Sequence, residues 1–155
     1  MDEKEKVYAS LVCTCIKDFN EHRNEKALIM LLSVLHAAQV SVPMTVTMDK
    51  ADEEQFLQAK VGDTVTTGGA IRMKPDMLTN NDGELFFPAF TLQEEAPEDY
   101  RSVFSWITMD FMNCVCSAYG NEKCAGVVVN AFSEPFTLTR PLMKFMIDRE
   151  KAKTE

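Results

Sequence analysis

A polar turn followed by an apolar run stands in the middle of the chain, at residues 80–91 with the sequence NNDGELFFPAFT. Residues 85–90 carry no polar side chain on either face. Since a strand that is apolar on both faces must be covered from both sides, this pattern predicts a central strand in a layered domain. The remaining elements have to flank that strand.

Helical periodicity characterises the N-terminal part. The spacing predicts a helix over residues 2–21 that begins at a capping box of Asp2 and Glu5. Its apolar stripe comprises Tyr8, Leu11, Val12, Cys15 and Phe19. The polar sequence FNEHRNE resets the period, and Asn24 can cap a second helix whose stripe comprises Leu28, Leu31, Leu32 and Leu35. We expect two helices, or one helix with a break.

The period changes to two at residues 39–47, which predicts a strand with one face formed by Val40, Val42, Met44 and Val46. Within it, Pro43 favours a strand with one free edge. The polar residues 49–62 are expected to hold a short helix at 51–59. A turn at Gly68-Gly69 and alternation through Ile71, Arg72, Met73 and Lys74 predict a second strand.

The C-terminal half alternates between loops, helices and short apolar runs. After the strand at 85–90, the acidic stretch QEEAPEDYRS predicts a surface loop with one helical turn from Pro97. A strand over 103–107 follows, and Thr108 is expected to cap a helix that carries Phe111, Cys114, Val115 and Ala118 and ends at Gly120.

Two further strands are predicted, the uniformly apolar run at residues 125–130 and an alternating run at 136–139. Thr139 and Pro141 then begin a final helix through Leu142, Phe145 and Met146. This order of elements predicts an α+β (layered α/β) domain with a mixed sheet of about five to six strands flanked by helices, preceded by an extra N-terminal helix.

Length and charge limit the functional classes. At 155 residues the chain suits one domain with one core. Its net charge of −8 argues against nucleic acid as a partner, because such binding depends on clustered Lys and Arg. The sequence MDEKEK lacks the features of a secretory signal, and the apolar residues 27–40 are too few to span a membrane. Five cysteines without a disulfide pattern favour the reducing cytoplasm.

The cysteines and histidines are the first candidates for chemistry. The pairs Cys13/Cys15 and Cys114/Cys116 could suggest zinc, but helical residues i and i+2 point to opposite sides, so we expect small core side chains and no metal. His36 is expected to be a hydrogen-bonded residue at a helix end. We find no set of catalytic residues and no cofactor motif around Gly68-Gly69.

Three side chains are the candidates for contact with a ligand or partner: Arg72, Trp106 and Asp110. Arg72 lies on a predicted strand face, and Asp110 lies near Trp106 at a predicted junction of strand and helix. The last two could form a polar pocket, although a carboxylate in the first turn of a helix also has a purely stabilising role. The loops at 49–69 and 93–102 are the predicted positions of a functional surface.

The order of four segments resembles the N-terminal domain of the enhanced serine sensitivity protein SseB. The segments are ALIMLLSVLHAAQVSVPM, DGELFFPAFT, FSWITMDFM and GVVVNAFSEPFTL. A helix before the family core is a departure from the family, and we expect residues 1–24 to be an N-terminal helical extension packed on the core and residues 151–155 to be a short polar tail. The resemblance places the SseB-like domain at residues 25–150. It implies a fold, with no reaction, cofactor or catalytic residue attached. Some members of that family continue into a second domain, whereas none follows Glu155 here, so we expect this chain to be a stand-alone module.

Three functions are compatible with these observations. The leading hypothesis is a non-catalytic binding or regulatory module for a protein or small-molecule partner. An enzyme with a polar pocket near Trp106 and Asp110 is the alternative. The third is a homo-oligomerisation module that uses the N-terminal helix.

Overall fold

The computed structural model describes residues 3–47 and 72–154. In chain order its elements are α1 (Glu3–His22), α2 (Glu25–His36), β1 (Gln39–Thr47), β2 (Arg72–Pro75), β3 (Leu78–Thr79), β4 (Leu85–Ala89), a 3-10 turn (Gln93–Glu95), α3 (Glu98–Arg101), β5 (Ser105–Asp110), α4 (Phe111–Tyr119), β6 (Cys124–Val129), β7 (Phe136–Thr139) and α5 (Arg140–Thr154). The predicted cap at Asp2, the helix at 51–59 and the turn at Gly68-Gly69 lie outside the described residues.

Two N-terminal helices are present, as predicted. The chain reverses at Arg23, whose φ of 52° is in the left-handed region. The amide of Ala27 donates to Asn24 Oδ1 over 2.8 Å, which confirms the predicted cap. Both helices pack against the sheets, and Val12 and Ile16 of α1 belong to the same hydrophobic core as the strands.

The predicted apolar stripe of α1 is partly wrong. Val12 and Cys15 are buried, but Tyr8 and Leu11 are exposed, and Ala9 and Ile16 are buried instead. Residues 9, 12 and 16 repeat at i, i+3 and i+7, so they also form a helical stripe. Packing against α2 selects this stripe, which leaves Leu11 44% exposed.

Three of the described strands form an antiparallel sheet in the order β2-β1-β5, so β1 is a central strand and not the edge strand that Pro43 suggested. The carbonyl oxygen of Pro43 accepts from the amide of Asp76 at 3.0 Å, which places the nitrogen of Pro43 on the β2 side. The ladder with β2 begins only at Met44, opposite Pro75. The missing N–H therefore faces Asp76, one residue beyond the end of β2, which is why proline is tolerated there.

A second sheet has the order β3-β4-β6-β7. Its inner strands β4 and β6 are parallel, and its outer pairings are antiparallel. The predicted central position of β4 is confirmed. Reciprocal backbone hydrogen bonds between Ser41 and Phe90, at 2.7 and 2.9 Å, join the two sheets. The α+β class is confirmed, with the described strands divided between two sheets.

The turn before β4 is also confirmed, and it has a partner strand that the pattern did not reveal. Asn80 Oδ1 accepts from the amides of Asp82 and Glu84 at 3.0 and 2.9 Å, and Gly83 has a φ of 81°. The two-residue strand β3 pairs with β4 across this turn. Two residues are too few to show a strand period.

The prediction that Thr108 caps α4 is wrong. Pairing with β1 extends β5 to Asp110, which lies opposite Gln39, so Thr108 is a strand residue. The amide of Phe111 then donates to the carbonyl of Ala38 over 2.9 Å, where the helix begins. The predicted end of α4 at Gly120 is confirmed.

The predicted last helix is present as α5, which buries Met143 and Met146 and leaves Phe145 45% exposed. His36 lies at the end of α2, as predicted, and its Nε2 contacts the carboxylate of Glu150 on α5.

Within the described ranges, no helix is long and apolar enough to cross a membrane.

Candidate functional site

The carboxyl ends of the parallel strands β4 and β6 lie side by side. Ala89 pairs with Val129, and the amide of Asn130 donates to the carbonyl of Ala89 over 2.9 Å. The chain leaves β4 at Thr91 and β6 at Asn130. In sheets with parallel strands, ligands commonly bind in the crevice outside these carboxyl ends. This edge is therefore the first place to seek a site.

A buried polar cluster joins the two strand ends. Asn130 has a φ of 54° and its side chain is directed toward Thr91. Its Oδ1 accepts from the backbone amide of Thr91 at 3.0 Å, and its Nδ2 donates to Thr91 Oγ1 over 3.1 Å. The same Nδ2 lies 3.6 Å from Cys13 Sγ, which is 3.5 Å from Thr91 Oγ1. Helix α1 thus brings a half-buried thiol to the ends of both strands.

A cavity of about 210 Å³ opens beside this cluster. Its lining residues come from three separate segments: Cys13, Glu95, Asn130, Ser133 and Glu134. The hydroxyl of Ser133 donates to Glu95 Oε2 over 2.8 Å, so the loops that follow β4 and β6 are joined across the cavity. Of the residues that the structure describes, no Lys or Arg lines it.

Next to the cavity, five aromatic side chains form a cluster: Phe90, Tyr100, Phe104, Trp106 and Phe132. Phe90 is fully buried, and Phe132 stacks on it with 6.0 Å between ring centroids and 5° between planes. Tyr100 packs against Phe132 at 4.9 Å. Although two rings hold it, Phe132 is 46% exposed. It is an aromatic side chain presented to solvent in a fixed position.

A hydrogen bond fastens this cluster to the three-stranded sheet. The hydroxyl of Tyr100 donates to Asp76 Oδ2 over 2.9 Å. Burial, together with the hydrogen bond and the charge of Asp76, raises the pKa of Tyr100 well above its ordinary value. Tyr100 is therefore a neutral hydrogen-bond donor at physiological pH.

Residues 91–104 and 130–135 together with Cys13 are called the carboxyl-end surface.

The SseB protein N-terminal domain family matches residues 15–144, which include both loops and most of the fold. The chain belongs to the SseB N-terminal domain family. No curated protein and no solved structure shows a significant match.

The structure does not bring the three sequence-predicted contact residues of this SseB domain together. Trp106 and Asp110 are four residues apart on β5, which corresponds to about 13 Å. The backbone of Arg72 lies opposite Thr47, at the far end of β1 from the residue that pairs with Asp110. The side chain of Arg72 lies outside what the structure describes.

Each of these residues has its own surroundings. The indole N–H of Trp106 donates to the carbonyl of Arg101 over 3.0 Å, and its ring packs on Phe90 beneath the carboxyl-end surface. Asp110 is exposed at the start of α4, where Gln39 Nε2 donates to its Oδ1 over 3.4 Å. An active site built from Trp106 and Asp110 has no support in this arrangement. A contact role for Arg72, Trp106 or Asp110 stays a prediction.

Sequence reasoning indicated the loop at 93–102, which forms part of this surface, and missed Cys13, Asn130, Phe132 and Glu134. One signal was available, because Thr91 and Asn130 each follow directly on an apolar strand. Recognising β4 and β6 as parallel neighbours would have placed both residues at one edge.

The cysteine pairs behave as predicted in one respect. Cys114 is fully buried and Cys116 is exposed, so residues i and i+2 of the helix do point apart. Among the described residues, no group of three or more His, Cys, Asp or Glu side chains could hold a metal ion.

Two other cavities are weaker candidates in the SseB domain. A recess of about 630 Å³ is larger, but its lining comes entirely from the exposed side of α2 and the cap residue before it. A cavity of about 70 Å³ between α2 and α5 is smaller and is lined by His36, Phe145 and their neighbours. Of these three cavities among the described residues, the one at the carboxyl-end surface combines separate segments with a buried polar cluster.

Proposed function

We propose that this SseB domain is a non-catalytic binding module and that the carboxyl-end surface is where it binds its partner. The observation that carries the proposal is the exposed ring of Phe132, which stacks on the buried Phe90 beside a cavity lined with polar groups. Aromatic side chains that are already fixed in place bind with a small loss of conformational entropy, and they are frequent hot spots of interfaces.

The chemistry of the cavity favours binding over catalysis. Cys13 has a hydroxyl and an amide within reach, but no described imidazole lines the cavity to act as its base. Asn130 uses its side chain to join the strand ends, which is a structural role. The polar groups of this surface can accept or donate hydrogen bonds to a partner without an assembled reaction centre.

A photo-crosslinking experiment tests the proposal. The photoreactive residue p-benzoylphenylalanine replaces Val103, which is 73% exposed on the carboxyl-end surface. The matched control replaces Met30, which is 55% exposed on α2 and belongs to neither proposed interface. We expect irradiation in lysate of the source cells to give a discrete adduct from position 103 and no such adduct from position 30.

Substitutions of two equally exposed phenylalanines make the result specific. Phe132 and Phe145 are 46% and 45% exposed, but Phe145 lies on α5, outside the carboxyl-end surface. Phe132→Ala should therefore abolish the adduct at position 103, and Phe145→Ala should leave it unchanged. An adduct that persists in Phe132→Ala, or the absence of any adduct, would refute the proposal.

Homo-oligomerisation through α1 is a second candidate function. Val7, Tyr8 and Leu11 are apolar and exposed on this helix. Because Val12 and Ile16 are part of the core, deletion of the helix would also damage the fold, so a point substitution is the better test. If α1 is an interface, Leu11→Asp should lower the mass measured by sedimentation relative to the unsubstituted chain. An equal mass for both excludes this interface.

A further inference from the structure

The geometry points to a specific kind of occupant for the carboxyl-end surface: a basic peptide segment of another protein, with one Lys or Arg side chain in the cavity between Glu95 and Glu134 and an apolar neighbour on Phe132. This inference rests on the proposed function and names the chemistry of the partner. Three observations carry it, namely charge, cavity size and the position of the exposed ring.

The charge of the two loops favours a cationic partner. Residues 91–104 contain four carboxylates and one guanidinium, and residues 130–135 contain one carboxylate and no cation. The two loops together therefore have a formal charge of −4, five negative charges against one positive. Glu134 is exposed, and Glu95 is held in place by Ser133 at 2.8 Å. Anionic groups would be repelled from this surface, while ammonium and guanidinium groups would be attracted.

The size of the cavity favours a side chain over a complete small molecule. Its volume of about 210 Å³ is below the range of about 300–1,000 Å³ that is usual for sites of drug-sized ligands. A long basic side chain can enter while its backbone stays outside. Asn130 and Cys13 are buried and half-buried members of the cavity lining, and the carboxylates of Glu95 and Glu134 can accept hydrogen bonds from the charged head group.

The exposed ring of Phe132 supplies the apolar contact. It lies in the same loop as three residues of the cavity lining, Asn130, Ser133 and Glu134. Phe90 and Tyr100 each contact part of the ring, and the 46% of the residue that stays exposed is open to a partner. An aliphatic side chain adjacent to the Lys or Arg could pack there, and the stem of the basic side chain could also contact the ring.

Fluorescence anisotropy with three labelled synthetic peptides of equal length tests this inference. The first combines Lys and Leu, the second combines Glu and Leu, and the third combines Lys and Ser. We expect saturable binding of the Lys–Leu peptide, weaker binding of the Lys–Ser peptide and no binding of the Glu–Leu peptide. The affinity should fall as salt increases, because the charges are near the surface.

Matched variants locate the binding. The double variant Glu95→Gln, Glu134→Gln should weaken the Lys–Leu peptide about tenfold, and so should Phe132→Ala. Glu122→Gln has the same change of charge as each single substitution, but Glu122 lies before β6, at the opposite end of the strand. It should change the affinity less than twofold, as should Phe145→Ala.

The outcomes separate this inference from the proposed function. The inference is overturned if the Lys–Leu peptide does not saturate, or if Glu122→Gln weakens it as much as the double variant does. If the Glu–Leu peptide binds best and depends on Phe132, the surface is a binding site but the partner is not basic. If neither peptide binding nor the adduct at position 103 depends on Phe132, both proposals fail.

Discussion

Replacing Asn130 by Ala should destabilise the domain because one side chain joins the ends of β4 and β6. The substitution removes the acceptor of the Thr91 amide, and Thr91 is only 5% exposed. A buried backbone amide left without a partner costs about 1–3 kcal/mol. Alanine at a φ of 54° adds about 1–2 kcal/mol, because residues with a Cβ other than Asn and Asp avoid this region. The expected total is about 2–5 kcal/mol.

Urea unfolding measures this loss, and Asn130→Gly separates its two parts. Glycine lacks the carboxamide but adopts a positive φ without strain, so this variant should be about 1 kcal/mol more stable than Asn130→Ala. If both variants lose less than about 1 kcal/mol, the carboxamide does not join the strands as described. If Asn130→Gly is the less stable variant, the strain at position 130 is not real.

Three further outcomes follow from the core. Tyr100→Phe should cost about 1–2 kcal/mol, because the carboxylate of Asp76 loses a half-buried hydrogen-bond donor. Because the pKa of Tyr100 is raised in the folded state, its contribution to the free energy of unfolding is complete below about pH 10 and decreases as the pH rises further. Between pH 8 and pH 10.5, the melting temperature should therefore fall more for the wild type than for Tyr100→Phe. Gly126→Ala should lower the free energy of unfolding in urea by about 1–3 kcal/mol, because the added Cβ would lie 2.3 Å from a backbone oxygen of β7. Unchanged stability would contradict this close approach of β6 and β7. Burial raises the pKa of Cys114 to about 12, whereas Cys116 is exposed on the same helix. In the reaction with Ellman's reagent, Cys116→Ser should therefore lack a fast phase that Cys114→Ser retains. The reverse result would contradict the packing of α4.

The elements that could be predicted have a strong local pattern. The alternation over residues 39–47 predicted β1 with its observed bounds, and Asn24 and Gly120 marked ends of helices because caps act within one turn. Thr108 was misread because pairing with β1 extends β5 by long-range hydrogen bonds that local sequence does not show. The buried face of α1 likewise depends on its contact with α2.

The candidate site was only partly within reach of the sequence. The loop at 93–102 was identified by its polarity and lies on the carboxyl-end surface. The roles of Asn130 and Cys13 depend on the parallel pairing of β4 with β6 and on the packing of α1, and both bring together residues far apart in the chain. Phe132 was not singled out, because a lone aromatic residue in a loop does not reveal which ring lies beneath it.

The most direct test of the binding surface is a titration of ¹⁵N-labelled protein with the Lys–Leu peptide, followed through the amide chemical shifts. We expect the shifted amides to lie within residues 91–104 and 130–135 and beside Cys13. In Phe132→Ala, addition of the same peptide should leave the chemical shifts of these amides unchanged. Shifts concentrated on the exposed side of α2 around Met30, or spread evenly over the domain, would contradict the assignment of the carboxyl-end surface as the binding site.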